Sequence, residues 1–142
     1  LMAFSPAAVY DYGPIRSLVV YRKAPFQVEL FLVAPGGGFP QEHRHPNVDS
    51  FEVHVFGEIP LTVNGVLSTP VIVNPKGDRP IRLTRVRETD WHGAEMMPNG
   101  AAFFSIQYWL NGVHPTSVGL NWEGSPVSSE HATLQATASE SP

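Results

Sequence analysis

The sequence predicts an all-β domain, an antiparallel jelly-roll β-barrel, from its composition and from the spacing of its turns. Of the 142 residues, 42% are hydrophobic and only 15% are charged. The chain contains 12 Gly and 14 Pro, and so many turn formers suit short strands better than long helices. Eight runs of β-branched and aromatic residues lie between these turns, which is the pattern of a barrel or sandwich.

The predicted strands follow one another with short breaks. They cover residues 17–23, 26–34, 50–56, 58–63, 66–67, 71–73, 81–87 and 101–110. Residues 35–40 (PGGGFP) are expected to form a loop. Asn64-Gly65 is the strongest hairpin signal, because both residue types accept the positive φ of a two-residue turn. Residues 111–124 contain Asn-Gly and Pro and are expected to be irregular.

The chain divides into an N-terminal arm (1–16), a barrel domain (17–124) and a flexible C-terminal tail (125–142). The tail is rich in Ser, Ala, Thr and Glu and has little apolar surface to bury. The arm is expected to be irregular, yet it carries apolar and aromatic side chains: Phe4, Val9, Tyr10, Tyr12 and Ile15. Such a segment often covers a sheet edge in its own chain or in a neighbour, so we expect a homodimer.

Composition also excludes several classes of partner. The net charge is -4 and the nine Lys and Arg residues are scattered, so no nucleic acid is expected to bind. No apolar run approaches the roughly 20 residues that span a bilayer, and no signal peptide is evident, so no membrane partner is expected. The absence of cysteine removes disulfides and thiolate chemistry and is compatible with a cytoplasmic protein. No P-loop and no Gly-x-Ser-x-Gly elbow is present.

Two histidines carry the clearest chemical signal in the chain. His43 and His45 lie two residues apart in a segment that alternates like a strand, so both imidazoles point to one side. Two neutral imidazoles that converge on one point are the beginning of a metal site. A third ligand has to come from another strand.

The segment from Gly37 to Gly57 resembles the first motif of the cupin superfamily. That motif consists of Gly, five residues, His-x-His, three or four residues, Glu, six residues and Gly. Here it runs GGFPQEHRHPNVDSFEVHVFG, with every element present except that Ser50 stands at the glutamate position. The resemblance covers roughly residues 17 to 110. It implies a small β-barrel with a metal inside one end and a substrate pocket above the metal.

The same resemblance implies that His92 is the third metal ligand, beside His43 and His45. His92 follows a strand, 47 residues after His45, where the second cupin motif supplies its histidine. The surrounding match is weaker. Residues 88–90 (ETD) replace the Pro-x-Gly segment of that motif, and Met96 stands where the family has Asn.

The missing glutamate leaves the fourth ligand open. Asp49 fits the shorter variant of the spacing, but the pleat turns it to the opposite face unless the chain bulges there. Glu52 and His54 are in phase with Ser50 and would be catalytic or pocket groups that orient ligands or accept a proton. Phe51, Val53 and Val55 form the other face of this strand. The sequence does not determine which of the two faces is inward.

Three functions follow from the resemblance. A three-His centre without a carboxylate is similar to the thiol dioxygenases and diketone-cleaving dioxygenases of the superfamily, so the first expectation is an Fe(II) dioxygenase acting on a small organic substrate. Zn(II) and Ni(II) would tolerate the same divalent-metal site. The alternatives are a metal-assisted isomerase or lyase with Glu52 as the base, and a non-catalytic small-molecule-binding cupin. Gln107 is a further candidate for a polar pocket group.

The remaining aromatic and histidine residues are expected to have structural or surface roles. Core or dimer packing is expected for Trp91, Phe103, Tyr108, Trp109 and Trp122. His114 and His131 lie in segments rich in Pro and Ser and are expected to be solvated.

Overall fold

The computed structural model describes residues 6–120, 126–129 and 137–140, and it confirms the predicted all-β jelly-roll. The strands are β1 (Ala8–Asp11), β2 (Ile15–Lys23), β3 (Phe26–Val33), β4 (Gly37–Arg44), β5 (Val48–Phe56), β6 (Leu61–Val63), β7 (Val66–Leu67), β8 (Val71–Val73), β9 (Ile81–Val86), β10 (His92–Met97), β11 (Ala101–Trp109), β12 (Ser117–Leu120), β13 (Pro126–Ser129) and β14 (Thr137–Glu140). A single 3-10 turn spans Leu110–Gly112. Within the described ranges, no helix is long and apolar enough to cross a membrane.

The strands form two antiparallel sheets. The large sheet has the order β14-β1-β2-β3-β11-β5-β9-β8, and the small sheet has the order β13-β12-β4-β10-β6-β7. The predicted hairpin at Asn64-Gly65 joins β6 to β7, and both residues have positive φ, 51° and 78°. Such a turn matches the twist of the strands that it connects.

A hydrophobic core closes one end of the space between the sheets. Ile15 and Phe103 come from the large sheet, while Leu61 and Met97 come from the small sheet, and all four are buried. The Phe103 ring stacks on Phe31 with 4.9 Å between ring centroids. Because this apolar cluster occupies one end of the barrel, polar side chains are confined to the other end.

The large sheet carries its polar side chains inward. Cross-strand pairing aligns two polar rows on its inner face, which we call the inner rows. One inner row is Arg22, Gln27, Gln107 and Ser50, and the other is Glu29, Ser105, Glu52 and Thr84. The alternate residues of the same strands point outward and are mostly apolar. The sequence left the direction of β5 open, and the structure places Ser50 and Glu52 inside.

The two central strands of the small sheet, β4 and β10, are absent from the predicted strands. The expectation of a loop over residues 35–40 was wrong from Gly37 onward, because β4 begins there, and β10 was not predicted at all. Both strands contain glycines that serve close packing. A Cβ at Gly38 would lie 2.8 Å from the Glu95 carbonyl oxygen, and one at Gly93 would lie 2.7 Å from the Phe39 carbonyl oxygen. Glycine therefore allows β4 and β10 to approach each other.

The two ends of the chain also contain strands. The expectation of irregular structure was wrong for residues 8–11, which pair with β2, and for residues 117–120, which pair with β4. Within the predicted tail, β13 pairs with β12 and β14 pairs with β1. Phe4, Trp122 and His131 lie outside the described residues.

Candidate metal centre

The structure brings the three predicted histidines together on the small sheet. His43 on β4 stands directly opposite His92 on β10, and His45 follows the last residue of β4. The ring centroids are 4.3 Å apart for His43 and His92, 4.9 Å for His43 and His45, and 5.3 Å for His45 and His92. One ring nitrogen from each histidine lies within 4.8 Å of the other two.

In two of these histidines, a backbone carbonyl determines which ring nitrogen keeps a lone pair that could bind a metal. Nδ1 of His45 lies 3.0 Å from the Thr116 carbonyl oxygen and 3.0 Å from Ser117 Oγ. Nδ1 of His92 lies 3.4 Å from the Asp90 carbonyl oxygen. A carbonyl only accepts hydrogen bonds, so Nδ1 is the donor and Nε2 keeps its lone pair. This arrangement is common for histidines that bind a metal.

Burial keeps the three imidazoles neutral. It lowers the pKa of His43 well below its ordinary value, and repulsion from His92 and His45 lowers the pKa further. Burial, followed by repulsion from His45, lowers the pKa of His92 to about 3. Burial also lowers the pKa of His45. At neutral pH all three rings are therefore uncharged, with one proton each, and neutral imidazole is the form that binds a metal.

The donor set fits a divalent transition metal. Imidazole nitrogens suit Zn(II), Fe(II) and Ni(II) rather than Mg(II) or Ca(II). Two nitrogens that each lie about 2.1 Å from one ion are at most about 4.2 Å apart. The three nitrogens, which lie within 4.8 Å of one another, would have to move closer together to bind one ion. No carboxylate joins the group of three histidines in the described part of the chain.

The histidines open into a cavity of about 190 Å³ between the two sheets. The inner rows, apart from Thr84, form the wall opposite the histidines. The apolar side of the cavity is lined by Phe31, Phe39, Leu61 and Phe103. His114, which was expected to be solvated, is exposed and lines the same cavity, so it stands at the mouth.

Glu52 is the main titratable group of the facing wall. Its side chain is 7% exposed, and Oε1 accepts hydrogen bonds from Ser50 Oγ at 2.8 Å and from Ser105 Oγ at 3.0 Å. Burial raises the pKa of Glu52 to about 7, although both hydroxyls lower it. The carboxyl group therefore exchanges a proton close to neutral pH, as a general acid or base does.

Glu29 is a second buried carboxyl group that the sequence analysis did not identify. Ser17 Oγ donates to its Oε2 at 3.0 Å, while the side-chain amides of Gln27 and Gln107 donate to Oε1. Burial raises its pKa as well, against the effect of these donors. The signal was present in β3, where Gln27 and Glu29 alternate with apolar residues just as Ser50 and Glu52 do in β5. Gln107 lines the cavity, where it was expected.

Asp49 and His54 lie outside the cavity lining. Asp49 is on the opposite face of β5 from Glu52 and pairs with Arg85, whose Nη2 and Nε lie 2.7 and 3.1 Å from its carboxylate oxygens. His54 is half-buried beside Phe103 in the sheet ladder. Its Nε2 is buried and has no hydrogen-bond partner among the described residues.

The aromatic residues fall into three settings. Phe103 and Trp109 are buried, and Trp109 Nε1 donates to Gln107 Oε1 at 3.3 Å. Tyr108 points outward, against Phe26. Trp91 lies under the Arg44 guanidinium group, at 5.4 Å.

Comparison with solved structures identifies the fold. An RmlC-like cupin from Shewanella frigidimarina aligns with a TM-score of 0.52 at 17% identity, over 70% of this chain and 81% of its own. A sugar phosphate isomerase of the cupin superfamily from Silicibacter pomeroyi aligns with a TM-score of 0.43 at 15% identity, over 84% of this chain and 78% of its own. No protein-family model and no curated protein matches the sequence. The chain has the cupin fold, with three histidines grouped where they could bind a metal.

Proposed function

We propose that the protein is a metal-dependent cupin enzyme that moves a proton on a small, oxygen-rich substrate, as an isomerase or lyase does. One observation carries the proposal. Three neutral, clustered imidazoles on the small sheet and a carboxyl group with a pKa of about 7 on the large sheet line the same cavity. His43, His45 and His92 would hold the divalent ion, and Glu52 would be the general base and acid.

Each residue has a defined part in this reaction. The ion supplies Lewis acidity toward a substrate carbonyl or hydroxyl oxygen. Glu52 would take a proton from the carbon next to that carbonyl. In an isomerisation it would return the proton to the former carbonyl carbon, while the proton of the substrate hydroxyl passes to the former carbonyl oxygen. In an elimination the proton would go to the departing group as the carbon–carbon double bond forms. Ser50 and Ser105 hold Oε1 of Glu52 by hydrogen bonds, so the carboxyl group keeps one orientation. The desolvated setting makes it a stronger base than an exposed carboxylate.

The shape and polarity of the cavity support a small substrate. The volume of about 190 Å³ accommodates a compact molecule. One wall offers carboxyl, amide and hydroxyl groups, and the adjoining wall offers aromatic rings. A small hydroxy-carbonyl compound would satisfy both walls and could present an oxygen to the histidines.

The absence of cysteine supports the further proposal that the protein is cytoplasmic.

An Fe(II) dioxygenase is the second candidate, and the ligand set favours it. The cluster consists of histidines alone in the described residues, and three neutral ligands leave the charge of a divalent ion uncompensated. An anionic substrate would supply that charge.

A binding protein without catalysis is the third candidate, and it would hold metal without turnover.

The experiment separates these candidates. The metal content of the purified protein is measured by mass spectrometry, and proton exchange from dihydroxyacetone and glyceraldehyde is followed by NMR in D2O. We expect metal-dependent exchange that falls at least about 100-fold in Glu52→Gln, within the range for loss of a general base. Asp49→Asn is the matched control, because this carboxylate is on the other face of the same strand, and it should exchange normally.

Other outcomes would contradict the proposal. Metal-loaded protein that exchanges no faster than chelator-treated protein, with either compound, would oppose an isomerase of this substrate class. Oxygen uptake with a diketone or thiol, in the absence of proton exchange, would favour the dioxygenase. Full exchange activity in Glu52→Gln would remove Glu52 from the mechanism.

A further inference from the structure

The outer face of the large sheet is apolar across six adjacent strands. Cross-strand pairing aligns one continuous row from β2 to β8. The row consists of Leu18, Leu30, Phe104, Val53, Leu83 and Val71. No charged or polar side chain interrupts it. A sheet face exposed to water normally carries polar residues at these alternate positions.

A second apolar row runs beside the first. Pairing aligns Tyr21, Val28, Ile106 and Phe51, and the row ends at Arg85. Ile106 is 43% exposed and Phe51 is 42% exposed, so this surface is open to water in the single chain. Large apolar residues exposed in one contiguous patch mark an interaction surface, whereas scattered ones do not.

Charged residues are found at the border of this face. The flanking rows include Lys23 at one end and Asp49 at the other, and Arg16 borders the opposite side. Asp49 is paired with Arg85. An apolar centre with a charged rim is the usual composition of a protein–protein interface.

The size of the face approaches what a stable dimer needs. With strands about 4.8 Å apart and rows about 6.8 Å apart, the two apolar rows and the two rows that flank them cover on the order of 600 Å². A specific interface buries about 800 Å² on each partner, so the face together with its charged rim approaches the area that one partner contributes.

We propose that a second copy of this chain covers this face, so that two large sheets pack face to face around a two-fold axis. The same patch then serves both copies, as a two-fold interface requires. Paired sheets pack about 10 Å apart through interdigitated apolar side chains, which these two rows provide. The surface differs from the N-terminal arm on which the sequence-based expectation of a dimer rested.

The first test is the mass of the full chain in solution. Light scattering at 50 µM should give twice the chain mass of 15.6 kDa, and the mass should persist in 1 M NaCl because the interface is apolar. A monomer under these conditions would overturn the proposal, since it would mean that no second copy covers the face.

Two matched variants then locate the interface. Ile106→Lys places a charge at the centre of the outer face, and its side chain points away from the cavity. Met96→Lys places the same charge on the exposed surface of the small sheet, where Met96 is 65% exposed. We expect Ile106→Lys to raise the dimer dissociation constant at least 100-fold and Met96→Lys to leave it unchanged. The reverse result would assign the dimer to the other sheet.

Cross-linking provides a test that does not depend on a disruptive charge. The chain has no cysteine, so a single introduced cysteine is the only thiol that the cross-linker can modify, and a covalent dimer shows that this position lies near its copy in the second chain. Ile106→Cys should give a covalent dimer with a short bismaleimide, and Met96→Cys should not. Equal cross-linking of the two variants, or cross-linking of Met96→Cys alone, would overturn the proposal.

Discussion

At the scale of single residues, Glu52 shows how burial turns an ordinary carboxyl group into a proton-exchanging group. It accepts two hydroxyl hydrogen bonds and forms no salt bridge with the described residues, so desolvation outweighs the donors and raises its pKa to about 7. The consequence for stability has a definite sign. In the unfolded chain the group loses its proton near its ordinary value of 4.5, whereas in the folded chain it keeps the proton until about pH 7.

We therefore expect Glu52 to make folding less favourable as the pH rises from about 4.5 to about 7. The folded state accommodates the protonated carboxyl group but not its buried charge. The free energy of unfolding therefore falls as the pH rises from the unfolded pKa through the folded pKa. The expected loss is on the order of 3 kcal/mol between pH 4.5 and pH 8. Urea unfolding at both pH values, with a chelator so that no cation offsets the charge, measures it.

Glu52→Gln should lose most of this pH dependence, because its amide oxygen still accepts the two hydroxyl hydrogen bonds but never ionises. Glu58→Gln removes an exposed carboxylate and serves as the control. A Glu52→Gln variant that keeps the full pH dependence would show that another group, such as Glu29, is responsible.

The histidine cluster, as a proposed metal site, gives a second residue-scale prediction. His92→Ala should weaken binding of Zn(II) at least about 100-fold, because only three protein ligands are present. His114→Ala is the matched control, since this histidine lines the cavity but does not belong to the cluster. Competition with a chromogenic chelator measures both affinities. Equal affinities in the two variants would contradict the ligand assignment.

The sequence predicted the histidines better than it predicted their surroundings. His43 and His45 lie two residues apart, as residues on one face of a strand do, and the position of the second cupin motif pointed to His92. The sequence left open whether Glu52 and His54 face inward. The structure places Glu52 in the cavity wall, whereas His54, in the same phase, lies beyond the cavity beside Phe103, because the apolar core begins there. Strand period fixes the face on which a side chain lies, but it does not fix how far along the barrel the cavity extends.

At the scale of elements, the segment from 113 to 116 is held in place by Asn47. Asn47 Nδ2 donates to the carbonyl oxygens of Val113 and His114, each at 3.0 Å. Its Oδ1 accepts from the backbone N–H of Thr116 at 3.0 Å. This segment places the Thr116 carbonyl oxygen against Nδ1 of His45, so Asn47 orients a proposed metal ligand through the backbone of a different segment.

We expect Asn47→Ala to lower the affinity for Zn(II) by about 10- to 100-fold, the usual effect of losing a group that orients a ligand. Folding should survive, because no core side chain changes. Asn99→Ala, at an exposed turn, should bind metal normally. Asn47→Asp keeps the acceptor for Thr116 and should recover part of the loss. Unchanged affinity in Asn47→Ala would show that the segment is positioned by other contacts.

Two of the strands that the sequence concealed, β4 and β10, contain glycines that pack against the neighbouring strand. β10 contains Gly93 and β4 contains Gly38, residues that favour turns when only local preference is considered. Their presence in strands depends on the close approach of the two backbones, a contact between segments far apart in the chain. The hairpin at Asn64-Gly65 was predictable because its signal is entirely local.

At the scale of the whole molecule, the proposed dimer links stability to concentration. Anything that binds only the folded chain stabilises it by mass action, so the melting temperature should rise between 1 and 100 µM protein. Ile106→Lys should melt at a lower temperature that does not depend on concentration, while Met96→Lys should follow the wild type. A wild-type melting temperature that stays constant over this range would contradict a dimer that dissociates upon unfolding.

The alternation of β11 has a consequence for how this protein can change. In this nine-residue strand Ser105 and Gln107 face the cavity, while Phe104, Ile106 and Tyr108 face outward. The strand therefore carries two sets of side chains with different surroundings, and the two sets alternate along it. Point substitutions can alter either set and leave the other intact. A deletion of one residue exchanges the two faces from that point onward. If the proposed function and the proposed dimer hold, substrate preference and assembly can therefore diverge independently by substitution, whereas a change in the length of this strand would damage both at once.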